Sequence, residues 1–142
     1  MTLEAIVIQA VVVDTNIVLD VFVFNDAAAE PFRHALAKQQ LNWLATQAMR
    51  DELARVLDYP KVAARLAYYQ LAATGVLAKF DEQAHLVAVA PKASVTCSDA
   101  DDQKFIDLAV EHRALLLSKD NAVLSMKKRL LAQGIWVQAA FK

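Results

Sequence analysis

Residues 11–20 read VVVDTNIVLD. Three successive valines suit a strand buried on both faces, as in a parallel sheet covered by helices. Asp14 follows them directly, with Thr15 and Asn16 behind it and more apolar residues beyond. Burying an unpaired carboxylate costs several kcal/mol, on the order of the whole stability of a small domain. Asp14 therefore stands at a strand end where the chain surfaces, or a partner holds it.

Outward from this stretch, apolar blocks of strand length alternate with longer segments of helical period. A helix is predicted from about Asn16 to Val23. Asp26 then precedes AAAEPFRHALAKQQ, a helix with an N-cap candidate in front and Pro31 near its first turn. LNWLA (41–45) reads as a short strand. Thr46 caps QAMRDELARVLDY, which stops before Pro60. KVAARLAYYQLAATGVLAKF is helical, with a break expected near Gly75. HLVAVA (85–90) is a predicted strand, followed by the loop PKASVTCS. DADDQKFIDLAVEHR is a strong helix and ALLLS (114–118) a second buried strand. NAVLSMKKRLLAQ reads as one helix ended by Gly134, and IWVQA as a last strand. Strands separated by helices imply βαβ units. The expected fold is a three-layer α/β/α arrangement, Rossmann-like, around a central, mainly parallel sheet of four to five strands. It would form one domain over residues 1–142, with 1–10 as a short lead-in. Ligands of such sheets bind beyond the carboxyl ends of the strands, where Asp14 lies.

Composition agrees with this and excludes several classes. Of 142 residues, 57% are hydrophobic, which is too apolar for a disordered chain. Two glycines and three prolines argue against long loops. The net charge of −1 leaves a nucleic-acid partner open, because a basic stripe can be local. A lone cysteine, Cys97, forms no internal disulfide and suits a reducing, cytoplasmic setting. No apolar run reaches the roughly 18 residues of a membrane span. The apolar start MTLEAIVIQAVVV lacks a basic opening and carries Glu4 and Gln9, so it reads as a lead-in plus a strand rather than a signal peptide.

The acids sort by position. Asp120 follows the strand-and-turn ALLLSKD and suits the cap of the next helix, a role compatible with turning toward a site. In DADDQKFIDLAVEHR, Asp102 shares a face with Phe105, Ile106, Ala109 and Arg113, so it leads the inward stripe. Favourable charge at a helix N-terminus is the plainer reading of Asp102, but it does not explain the apolar side. Asp107 and Glu111 fall off the stripe and are expected in solvent. Asp99, Asp101 and Ser98 sit where a cap is wanted. Glu52 stacks with Ala45, Ala48, Met49 and Val56 and faces inward, or snorkels at the core edge. Its neighbour Asp51 points out and meets Arg55 four residues on. Asp14, Glu52, Asp102 and Asp120 thus converge, and no matching set of inward Lys or Arg is expected. Like charges so close need compensation. A hard divalent cation would supply it, and oxygen donors favour Mg²⁺ or Mn²⁺ over Zn²⁺. The natural chemistry is metal-assisted phosphodiester hydrolysis.

At these residues the sequence resembles the PIN-domain family, from about Val11 to Val137. Its toxin components of type II toxin–antitoxin modules, the VapC-like ribonucleases, are the nearest in pattern. The matching motifs are the strand running into Asp14, Thr15 and Asn16; Glu52 in MRDELARVL; Asp102 in DADDQKFIDLA; and Ser118 and Asp120 in LLLSKD. The resemblance implies a PIN-like fold and a Mg²⁺- or Mn²⁺-dependent ribonuclease. Asp14, Asp102 and Asp120 would ligate metal, with Asp101 an alternative to Asp102 as third ligand. Glu52 would ligate metal or orient the attacking water. Asn16 and Ser118 would hold carboxylates or substrate by hydrogen bonds, with Thr15 in support. Expected partners are an RNA substrate, a cognate antitoxin and a second copy of the chain in a homodimer, with no membrane.

Other residues carry less. His34, His85 and His112 match no metal spacing, and Cys97 has no evident His partner. MKKR (126–129), Arg50, Arg55, Lys61 and Arg65 suit RNA phosphates or simply a solvated face. Trp43, Tyr68 and Tyr69 suit base stacking, with core or dimer packing the first expectation. Two competing functions remain. One is a catalytically silent module that keeps the fold for RNA or protein contact. The other is phosphoaspartyl chemistry on Asp14, which wants a second Asp two residues later, where this chain has Asn16.

Overall fold

The computed structural model describes residues 8–141. Five strands form one all-parallel sheet: β1 (Gln9–Val13), β2 (Leu41–Ala45), β3 (Ala84–Leu86), β4 (Leu115–Leu117) and β5 (Val137–Gln138). Their order across the sheet is β3-β2-β1-β4-β5. Successive strands run from β1 outward to β3, then the chain crosses to the other side of β1 to lay down β4 and β5. The reversal falls between β1 and β4. Crevices beyond the strand ends at such a point are where open α/β sheets bind ligands.

The expected three-layer, parallel architecture is present. β1 is central because its valines can lose all contact with water. Val11, Val12 and Val13 are buried, as are Leu115, Leu116 and Leu117 beside them. Among the described residues, eight α-helices flank the sheet: α1 (Thr15–Phe22), α2 (Glu30–Ala37), α3 (Gln47–Leu57), α4 (Pro60–Tyr68), α5 (Ala73–Gln83), α6 (Gln103–His112), α7 (Asn121–Leu124) and α8 (Lys127–Leu131). One face is knit by Trp43 of β2, which stacks on Phe22 and meets the edges of Phe32 and Phe80 at centroid distances of 5.5 and 5.3 Å. Such aromatic pairs add about 0.5–1.5 kcal/mol each beyond area burial.

Several boundaries differ from expectation. The lead-in is shorter, because Gln9 and Ala10 already belong to β1 and pair with Leu41 and Asn42; residues 1–7 lie outside those described. Asp26 caps a 3-10 turn (Ala27–Ala29) through the Ala28 N–H, and α2 starts only after it. The break in the long helical segment falls at residues 69–72, not at Gly75, which lies in the first turn of α5. Gln70 takes a left-handed φ of 57°, and the Leu71 N–H reaches back to the Leu66 carbonyl, which is a helix stop built without glycine. Of HLVAVA, only His85 and Leu86 pair with β2; beyond Val87, which donates to the Ala45 carbonyl, the chain leaves the sheet, and Val89 is exposed. NAVLSMKKRLLAQ is two short helices. IWVQA contributes only two residues to the sheet. Tyr68, at 77% exposure, and Tyr69 are not core residues, whereas Trp43 is.

Candidate metal centre

The carboxyl end of β1 meets the carboxyl end of β4. The Asp14 N–H extends the parallel ladder by donating to the Leu117 carbonyl at 2.9 Å. Its own carbonyl accepts from Ile17 and Val18, so the backbone of Asp14 caps α1 while its side chain is free for other work. That carboxylate is buried, and Ser118 Oγ donates to Asp14 Oδ2 at 2.6 Å. The same Ser118 oxygen accepts the Asp120 N–H at 3.1 Å. One hydroxyl thus joins two acids 106 positions apart in the chain. The charge behind the three valines is therefore held at a strand end, by a partner.

Asp120 caps α7, accepting the Ala122 N–H at 2.9 Å through Oδ1. The capping and site positions are compatible, since that bond occupies one of its two oxygens. Asp102 begins α6 without a side-chain cap, and it lies on the inner side with Phe105, Ile106 and Ala109. One carboxylate oxygen from each of Asp14, Asp102 and Asp120 lies within 4.8 Å of the other two. Among the described residues, no Lys or Arg pairs with any of the three.

Electrostatics follow from this packing. Burial pushes the Asp102 carboxyl up to about 7, helped by the negative charges of Asp14, Asp120 and Asp99. Burial also raises Asp14, with Glu52 and Asp120 adding to the rise and the Ser118 hydrogen bond opposing it. Asp102 Oδ2 is buried with no hydrogen-bond partner. An orphaned buried carboxylate oxygen is costly. Three converging oxygen donors with one left unpartnered fit a hard divalent cation of the Mg²⁺ or Mn²⁺ type.

Glu52 lies beside the trio without joining it, near enough for its charge to raise Asp14. Thr15 donates its hydroxyl to Glu52 Oε2, and Lys104 Nζ meets Oε1 at 2.9 Å. The expectation of no inward-facing cation therefore fails at Lys104, whose partner is 52 residues away in sequence and so invisible to local spacing. Lys119 likewise pairs with buried Asp20, a second acid of the opening stretch that sequence reasoning passed over. Asp101 is exposed; its N–H donates to Asp99 and its carbonyl accepts from Lys104. Of the two alternatives, only Asp102 lies with the other acids. Asn16 is exposed and holds no carboxylate among the described residues. Asp107 is not simply solvated, because it accepts the Ala93 N–H and the Gln103 amide, both at 2.8 Å. Asp51 bonds Gln47 rather than Arg55. Cys97 is buried, which pushes its thiol up and away from nucleophilic use.

No helix among the described residues is long and apolar enough to cross a membrane. Curated proteins offer no match to the chain. The PIN domain family model, in contrast, matches residues 10–122, a span that takes in β1 from Ala10 onward, α3, α6, β4 and all three clustered acids. PIN domains are generally metal-dependent nucleases, and the buried acids are of the type that could bind the metal. A match over this much of the chain, on the elements that carry the site, makes the protein a member of the PIN domain family.

Proposed function

We propose that the protein is a Mg²⁺- or Mn²⁺-dependent endoribonuclease, and that it serves as the toxin of a toxin–antitoxin pair. The observation that carries the nuclease reading is the buried trio Asp14, Asp102 and Asp120, uncompensated by any cation among the described residues and with Asp102 Oδ2 unpartnered. A divalent ion held there supplies Lewis acidity to the phosphodiester and acidifies water.

The chain's own residues have distinct parts in this reading. Asp14, Asp102 and Asp120 hold the ion. Ser118 fixes the rotamer of Asp14 and the backbone of Asp120 with one hydroxyl. Thr15 and Lys104 hold Glu52 beside the trio, where it ligates or orients water at the scissile phosphate. Asn16 is exposed on the first turn after Asp14, which supports a contact with substrate in this reading. RNA as substrate, an antitoxin as inhibitor, a homodimer and a cytoplasmic setting complete the reading; the family membership and the cysteine usage support them.

The test is RNA cleavage in Mg²⁺, Mn²⁺ and EDTA, with wild type beside Asp14→Asn. Cleavage is expected with either metal and abolished by EDTA or by the substitution. Equal cutting by the variant would remove Asp14 from the chemistry. The Lys104–Glu52 pair favours a second reading, a catalytically silent PIN-like module for RNA or protein contact, because it neutralises one of the family's four acids. Metal titration by calorimetry separates the two, since a silent module has no use for a saturable divalent site.

A further inference from the structure

From Tyr59 to Phe80 the chain carries three cations, Lys61, Arg65 and Lys79, and no acid. Acids outnumber cations in the chain as a whole, 16 to 15, so this is a local reversal of charge. Asp58 and Asp81 bound the stretch, and Asp81 is already paired with Arg50. The same stretch holds all three tyrosines of the chain. None is a core residue: Tyr59 is 55% exposed, Tyr68 77% and Tyr69 40%.

α4 folds this composition into one face. Lys61, Arg65 and Tyr69 recur every four residues, so they line up along the helix and its C-cap. With half-buried Phe24 and Val62 they line an open groove of about 400 Å³, which no acid lines. Neither Lys61 nor Arg65 has an ion pair among the described residues. Tyr68 stands beside Tyr69, with ring centroids 5.1 Å apart and planes at 81°, so the two present differently directed faces. Cations for phosphates beside aromatic faces for bases hold single-stranded nucleic acid without reading its sequence. A duplex hides its base faces. A second copy of this face would set cation against cation, and an acidic protein segment would leave the tyrosine faces unused.

We propose that this groove docks a single-stranded stretch of the RNA substrate outside the metal centre; the role rests on the nuclease reading above. Lys61 and Arg65 take backbone phosphates, and bases lie on Tyr69 and Tyr68. α1 connects the two places. It begins directly after Asp14 and spans about 12 Å, and Phe24 of the groove lies just past its end. At roughly 3.4 Å per nucleotide, about four nucleotides cover that distance.

The probe is a fluorescein-labelled oligoadenylate of about 12 nucleotides, within the usual size of single-strand sites, kept in EDTA so that nothing is cut. Fluorescence anisotropy is expected to show saturable binding with Kd on the order of 10 μM, and weaker binding once the strand is annealed to its complement. Lys61→Ala combined with Arg65→Ala should weaken binding at least tenfold. It should also reduce the slope of log Kd against log salt by about 1.4, from two phosphate contacts at about 0.7 each. Tyr69→Ala should cost about fivefold or more and Tyr69→Phe nothing, since the ring is kept. Lys127→Ala with Lys128→Ala removes the same charge from α8 and should change neither affinity nor slope. All these side chains are exposed, so circular dichroism should be unchanged in the variants. In Mn²⁺, the Lys61 and Arg65 double variant should raise KM for RNA cleavage at least tenfold and leave kcat unchanged.

The proposal is overturned by equal binding of the double variant or of the duplex, or by an equal loss in the α8 control. A glutamate peptide of the same charge that displaces the RNA equally well, or self-association that Tyr69→Ala removes, would assign the face to a protein and overturn it too. Cutting by wild type with binding unchanged in the variants would sink the docking groove and spare the nuclease. No cutting in any metal, with binding still lost in the variants, would do the reverse.

Discussion

Lys104 Nζ lies 2.9 Å from Glu52 Oε1, and this contact ties the first turn of α6 to α3. It neutralises the acid beside the trio and leaves three carboxylates to compensate rather than four. Lys104→Ala returns a unit of negative charge to the rim of the site. That charge is worth about 1 kcal/mol, roughly a fivefold gain in divalent-ion affinity. Calorimetric titration with Mn²⁺ should show the tighter binding. A weaker affinity would mean that Lys104 instead holds Glu52 in a ligating position.

Asp14→Asn should separate stability from activity. The substitution keeps a side-chain oxygen for the Ser118 hydroxyl and removes a buried charge from among Asp102, Asp120 and Glu52. The metal-free protein should therefore gain on the order of 1 kcal/mol, about 3–4 °C in Tm for a chain of this size. Metal-stimulated RNA cleavage should fall by about 100-fold or more. No change, or a drop, in the metal-free Tm would argue against electrostatic strain at the cluster.

The pH dependence of the metal-free protein has a definite sign. Asp102, raised to about 7, and Asp14, also raised, keep protons in the folded state that the unfolded chain has released above the ordinary value of 3.8. Their contribution is fully present below that value and is lost as pH climbs through about 7. In EDTA, Tm should fall between about pH 5 and pH 8. The increase in Tm caused by Mn²⁺ should be larger at pH 8 than at pH 5.5, where the ion must displace protons. A Tm that rises over this interval would contradict the assignment.

Ser118→Ala removes the hydroxyl shared by Asp14 and the Asp120 N–H at a position with no solvent exposure. The loss should be about 1–3 kcal/mol, because two partners remain without their bonds. Urea denaturation checks the magnitude. Calorimetry should show weaker Mn²⁺ binding, since Asp14 loses the bond that holds its carboxylate in the charged form.

The central parts of the fold were legible and the margins were not, for reasons that differ by element. β1 and β4 are buried on both faces, so their continuous apolar runs signal them directly. The stripe from Asp102 to Ala109 marked α6. β3 and β5 each have a single neighbour in the sheet, and the apolar letters of HLVAVA and IWVQA exceed the residues that find a partner strand. Helix ends were misjudged where the left-handed stop is not glycine. Gln39, Gln70 and Arg113 take φ values of 57°, 57° and 51°, with only Gly134 signalling a stop by its residue type. At Gln70 the packing of Leu66 and Leu71 against the core sets the turn, and local letters do not record that packing.

The site divides in the same way. Asp14, Asp102 and Asp120 were readable because strand ends and helix faces are local properties, and their convergence follows from the parallel topology. Ser118 as the hydroxyl between two acids was expected as a type of contact. What escaped was every pairing of an acid with a distant base: Arg50 with Asp81, Lys104 with Glu52, and Lys119 with Asp20 across the β4–α7 turn. Charge partners separated by tens of residues leave no periodic trace. The exposure of Tyr68 and Tyr69 was hidden for a related reason, because an apolar run has the same letters whether its neighbours cover it or not.

The seam between β1 and β4 has a consequence for how the protein comes into being. β1 is made first, yet the strand on its Ser118 side arrives more than a hundred residues later. Domains emerge from the ribosome amino end first. A nascent chain stopped anywhere before Asp120 lacks one wall of the cleft and cannot gather its third carboxylate. Translation products that stop short of Asp120 should therefore be inert, and activity should switch on only once the chain has been made through α7.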